Sequence, residues 1–150
     1  MFIAFLIGLT NETLNRVGIN FALLLLRLSL GGLMLANHGY DKVIHFKTLV
    51  GDFADPLAVG RSVSLVMAMT AEVLGSVLIG LGFLTRVGVV MLICNMAVAA
   101  FMVHGDDILG QGELALVYLA GFMTLLFSGP GRVSLDAVIV RRLGGRSAKS

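Results

Sequence analysis

The chain is poor in charge and almost without cysteine. Of its 150 residues, 13% are Asp, Glu, Lys or Arg while 57% are apolar, and the mean hydropathy is +0.96. Soluble domains run at roughly 25% charged and about 45–50% apolar, so a water-soluble domain of this size has too little interior to bury so much apolar surface. The lone Cys94 sits inside an apolar run and excludes an intrachain disulfide framework and any paired-cysteine zinc or redox motif. It reads as a small buried hydrophobe. CxxCH, HExxH, GxGxxG and the Walker sequence are all missing, so soluble-cofactor chemistry has no motif to rest on. No internal repeat stands out, and the eight methionines form no MxxM cluster.

What is there is a set of long apolar runs. Measured against the roughly 20 residues needed to cross about 30 Å of hydrocarbon, four segments qualify: Val17 to Ala36, Ser62 to Leu84, Val87 to Val103, and the shorter Leu114 to Phe127. Only helices or closed barrels satisfy their backbone in lipid, and runs of this length are helices. The expected fold is therefore an all-α polytopic membrane protein, a four-transmembrane-helix bundle. Residues 1–16 form an N-terminal apolar or interfacial extension, 17–136 the membrane domain and 137–150 a basic tail. Met1 to Leu9 is too short to span and lacks the marks of a signal peptide. Gly129-Pro130-Gly131 ends the fourth helix, and Ser134 with Asp136 can cap a short basic helix beyond it.

The net charge is +2, and five of the eleven Lys and Arg fall in the last nineteen residues. That suits a membrane edge facing anionic lipid better than a nucleic-acid groove. With four spans, one side collects Arg16, Arg86, Arg132, Arg141, Arg142, Arg146 and Lys149, and the other Lys42, Lys47 and Arg61. The positive-inside rule then puts both termini, and the short C-terminal helix, in the cytoplasm.

Two charges remain inside the apolar runs, Arg27 and Glu72. Each lies ten residues after the start of its span, the two spans run in opposite directions, and at about 1.5 Å per residue the two sit at similar depth. An isolated charge there costs at least about 2.5–3.5 kcal/mol, so the two are expected to pair, either as a structural ion pair fixing helix register or as part of a reactive centre. Ser64, Ala68, Glu72, Ser76 and Gly80 recur every four residues, a small-residue stripe that turns Glu72 toward the bundle. Arg27, Gly31, Met34 and His38 share a face of the first helix. His38, His104 and Glu113 gather at the outer end, beside the acidic Asp106 and Asp107. Asn95 and Tyr118 fall about half a turn off the His104 and Glu113 faces and stand outside the expected site. For the histidines, interfacial hydrogen bonding stands against a proton relay or a headgroup contact. Bis-histidine haem ligation lacks an attachment motif, and a zinc or copper site from His38, His104 and Glu113 lacks diagnostic spacing.

An ordered set of these features resembles the DoxX family. It comprises Leu25-Leu26-Arg27-Leu28-Ser29-Leu30-Gly31, His38-Gly39-Tyr40-Asp41-Lys42, and Glu72-Val73-Leu74-Gly75 leading to Leu84-Thr85-Arg86. His104, Glu113-Leu114-Ala115-Leu116 and Gly129-Pro130-Gly131-Arg132-Val133-Ser134-Leu135-Asp136 complete it, so that it covers about Leu23 to Asp136. The resemblance implies a four-helix bacterial inner-membrane protein associated with membrane oxidoreductase systems, and gives the fold more firmly than the reaction. The leading expectation is a subunit of a quinone-linked redox complex, with electrons arriving from a partner respiratory or redox subunit. Glu72, His38 and His104 would transfer protons, and Arg27, Glu72, His38 and Glu113 would hold a quinone or other polar headgroup. No haem or metal is expected, and lipid rather than nucleic acid is the surrounding partner. The alternative is a non-catalytic scaffold or accessory subunit whose small-residue faces pack against other membrane helices. A transporter comes third, for want of an inverted repeat or broken-helix pair.

Overall fold

The structure is a computed structural model describing residues 12–147, with side chains from 15 to 143. The apolar start expected at Met1 to Leu9 lies outside the described residues, as does Lys149. Every regular element among the described residues is helical. Helix α1 (Glu12–Met34) runs through a π-helical segment, Leu35–Gly39, into α2 (Tyr40–Ile44); α3 (Phe46–Leu49) follows. Helices α4 (Arg61–Leu81) and α5 (Thr85–Val98) form a hairpin, and α5 continues into a second π segment, Ala99–Val103. After a 3-10 turn, Gly105–Asp107, come α6 (Glu113–Ser128) and the terminal α7 (Leu135–Ser147).

Three continuous helices are long and apolar enough to cross a membrane: Asn15–Ile44, Arg61–Leu81 and Thr85–Val103. The 16-residue α6 is apolar but shorter. The first rod is longer than the sequence reading allowed. Hydropathy falls at Asn37, yet Asn37 to Ile44 contains no proline and the helical hydrogen bonding carries on through it, so the 30-residue rod reaches about 45 Å.

α4 packs on α5, α5 on α6, and α1 on both α4 and α6. Met34, Ile79, Leu92, Met96, Phe122 and Leu125 fill the space between them. Outward positions such as Phe21, Leu25, Leu28, Val63, Val77, Val90 and Val117 are apolar and exposed, while Arg27, Glu72, Ser64, Ser76 and Thr85 are buried. An apolar exterior around buried polar groups is the arrangement that lipid as solvent favours. This is a multi-pass membrane protein.

Close approach of α4 and α5 comes from Gly75 and Gly88: a Cβ on Gly88 would lie 2.9 Å from the Gly75 carbonyl oxygen, and one on Gly75 3.1 Å from that of Gly88. Their hairpin turns at Gly82, whose φ of 66° is left-handed, with Phe83 N–H donating to Leu78 O at 3.0 Å in a Schellman-type closure.

The segment 129–136 straps the end of the bundle where α4 meets α5. Asn20 of α1 accepts from Arg132 N–H at 2.7 Å, and Asp136 accepts from Leu84 N–H (2.8 Å), Thr85 N–H (3.0 Å) and Thr85 Oγ1–H (2.8 Å), capping α5 from a distant part of the chain. Leu84, with a positive φ of 45°, is held there by the first of these bonds. At the opposite end Asp55 accepts from Val59 N–H, Gly60 N–H and Ser64 Oγ–H, ordering the loop that leads into α4.

Candidate functional site

The pairing of Arg27 with Glu72 expected from equal depth is not what the structure holds. Gly39 lies against Glu72 and Val73, and Gly31 against Ser76 and Ile79; Cβ atoms there would stand 3.0 Å from Val73 Cγ2 and Ser76 O. That antiparallel register brings Arg27 to Gly82, where a Cβ would overlap the guanidinium. Gly82 is ten residues beyond Glu72, about 15 Å along the helix. The depth estimate failed because it started the first rod at Val17 and ended it at Ala36. Arg27, 1% exposed, instead donates through Nη2 to Val133 O of the strap, near Asp136, and its Nε and Nη1 have no partner.

Glu72, 3% exposed, is held by Lys42. Lys42 Nζ donates to both carboxylate oxygens, at 2.9 and 2.8 Å, and Asn95 Nδ2 donates to Oε1 at 3.0 Å. The buried carboxylate thus meets an ammonium across both oxygens and a third donor, which satisfies its acceptors away from water. Lys42 lies one turn beyond His38 on the same rod, so the histidine and lysine share a face. Across from them Tyr118 of α6 meets the His38 ring edge-on, with centroids 5.7 Å apart, and stacks on Phe122 at 5.8 Å.

These groups line a cavity of about 690 Å³. Its polar lining includes Lys42, Glu72, Asn95, His38, Tyr118 and His104; the wall is otherwise largely apolar, with Met67, Ala71, Met91, Val98 and Leu114 among its residues. Both π segments border it, through His38 on one side and Ala99 and Val103 on the other. An i→i+5 turn inserts an extra residue in a helix and is common beside functional sites. Here Tyr40 N–H bonds to Leu35 O, and His104 N–H to Ala99 O at 3.0 Å.

Of the expected site residues, the structure brings Glu72, His38 and His104 to one cavity. Arg27 is at the other end of the bundle, and Glu113 is exposed at the start of α6, outside the cavity lining. Among the described residues no three of His, Cys, Asp and Glu gather as a metal-ligand set. Lys42, Asn95 and Tyr118 were missed. A span ending at Ala36 leaves Lys42 outside it, although Lys42 stands four residues beyond His38. Asn95 was set aside by counting 100° per residue to His104, a count that the intervening π segment breaks. Tyr118 was referred to Glu113, which proved the wrong landmark. Cys94, expected buried, is exposed and lines the cavity.

A small amphiphile with an apolar body and a polar head fits such a space: hydrophobic walls take the body, and a few converging donors and acceptors orient the head.

Comparison with known proteins places the chain. The DoxX family model matches residues 22–105, which include Arg27, His38, Lys42, Glu72, Asn95 and His104. An uncharacterized protein of Haemophilus influenzae is 34% identical over 114 residues, covering 69% of this chain and 80% of its own length. No solved structure matches. With more than half its length inside the family pattern, and with the buried charged residues Arg27 and Glu72 inside it, the chain belongs to the DoxX family.

Proposed function

We propose that the protein is an integral subunit of a quinone-linked redox complex of the bacterial inner membrane, and that its cavity holds the quinone. The observation that carries this reading is the buried Glu72, held by the half-buried Lys42 and Asn95, on an apolar-walled space of about 690 Å³. A quinone offers carbonyl acceptors on a flat ring and an apolar tail. Lys42 and Asn95 supply donors for the first, the methionine- and alanine-rich wall accommodates the second, and the Tyr118 ring bounds the pocket on the α6 side. When bound, the quinone supplies a two-electron acceptor.

This chain's own part is binding, orientation and proton handling. Lys42 has three N–H donors, two of which are engaged by Glu72. A head group that takes Lys42 weakens its hold on the carboxylate and leaves Glu72 able to accept a proton. His38 and His104, both in the cavity lining, carry protons between it and water. Arg27 and Glu113 have no place in this version of the site. The sequence carries no cofactor-attachment motif, so a partner subunit delivers the electrons, in keeping with a family of membrane proteins some of which are linked to redox functions.

In the same reading α6 is the fourth span. Its 16 residues reach about 24 Å, and the excess of arginine at the strap end supports a cytoplasmic orientation for that end.

The test is binding of a short-tailed quinone to the purified full chain in detergent, read by thermal shift and by equilibrium titration. Glu72→Gln and His38→Ala are expected to weaken binding about tenfold or more. No response to quinone in the wild type, or wild-type affinity in both variants, rules the site out. The scaffold alternative relied on the small-residue stripe of α4, but Ser64, Glu72 and Ser76 of that stripe are buried within the chain itself, which leaves less of it to meet a partner.

A further inference from the structure

We propose a second binding site, at the strap end of the bundle, for the phosphate head of an anionic phospholipid. A pocket of about 820 Å³ opens there between the α4–α5 turn, the Gly-Pro-Gly strap and α7, and three arginines line it: Arg86, Arg132 and Arg141. Among the described residues none of the three makes an ion pair within the chain. Arg141 is fixed across the pocket by donating to Arg132 O at 2.8 Å and Ala137 O at 3.2 Å, while the side chains of Arg86 and Arg132 are exposed. The one carboxylate in the lining, Asp136, makes no ion pair with the three: its oxygens accept from Leu84 and Thr85, and the positive charge acting on it is that of the buried Arg27, so three arginine charges face one carboxylate. The pocket therefore carries an excess of positive charge, with no ion pair among the described residues to any of its three arginines.

Its borders identify the source of the anion. Leu84, Val87 and Val140 are apolar and half or more exposed at the rim, and Val138, Ile139, Val140 and Leu143 give α7 an exposed apolar surface beside Arg141 and Arg142. A helix of that make-up lies in a membrane interface. The pocket stands where the apolar exterior of the bundle gives way to polar chain ends, the level of lipid head groups. A lipid phosphate meets the arginines while its acyl chains run along Leu84 and Val87; free phosphate has no use for that rim. Basic pockets at such positions bind anionic head groups.

The experiment is native mass spectrometry of the purified full chain with added phosphatidylglycerol, with phosphatidylcholine of the same acyl chains, and with inorganic phosphate. The wild type is expected to prefer phosphatidylglycerol by about tenfold or more. The double variant Arg86→Gln, Arg132→Gln removes exposed side chains that make no internal bond, so it should keep its melting temperature and lose that preference. Removing equal charge at the opposite end, Lys47→Gln with Arg61→Gln, should leave the preference in place. Equal binding of the two lipids, retention in the Arg86/Arg132 variant, equal loss in the Lys47/Arg61 variant, or inorganic phosphate binding as tightly as the lipid would each overturn the proposal.

Discussion

Glu72 and Arg27 are both almost fully buried, yet their surroundings differ in kind. Glu72 has three donors on its carboxylate and a full positive charge from Lys42; Arg27 has one carbonyl and two unused nitrogens. Removing one partner of a buried ion pair strands the other, at a cost on the order of 3 kcal/mol, whereas neutralising both is far milder. Lys42→Met is therefore expected to lower stability by about that amount, and Lys42→Met combined with Glu72→Gln to recover most of it, as read by unfolding in detergent. Arg27→Ala should cost about 2 kcal/mol through the lost strap bond and the cavity left behind while leaving quinone affinity unchanged. A tenfold loss of affinity in that variant would return Arg27 to the site. At this scale the sequence disclosed which residues are buried and charged, because a charge inside an apolar run is conspicuous. It did not disclose their partners, because partnership depends on a register that two glycine contacts set.

The helices explain why counting along them went astray. A steady 3.6-residue period predicts faces correctly for Arg27, Gly31 and Met34, all buried, and for Ser64, Glu72 and Ser76. It fails across Leu35–Gly39 and Ala99–Val103, where i→i+5 bonding shifts the phase. The strap has its own signature. Burial pushes the Asp136 carboxyl up, but the bonds from Thr85 and Leu84 and the nearby Arg27 charge outweigh it and hold the group below its ordinary value. A depressed folded-state value contributes stability that is complete above the unfolded value of about 3.9 and fades as pH falls through the lower folded one. Melting temperature should therefore drop on acidification below about pH 4, and Asp136→Asn should flatten that part of the profile from a lower starting stability.

For the whole molecule, hydropathy was a sufficient guide to class. A chain with so few charges needs lipid around it, and the exposed Phe21, Leu25, Val77 and Val117 show where the lipid lies. Orientation is checkable in the Cys94→Ser background: a cysteine at Lys47 should react with a membrane-impermeant maleimide in intact cells, and one at Arg86 only after permeabilisation. The reverse pattern would invert the protein. The sequence alone determined that the chain is helical, membrane-borne and of the DoxX pattern, since these follow from composition, run length and local motifs, all additive along the chain. Only the tertiary structure decided that Glu72 belongs with Lys42 and Asn95 and that Arg27 belongs with the strap. Those pairings depend on how far one helix slides past another and on two π turns, and neither quantity is written in any single segment.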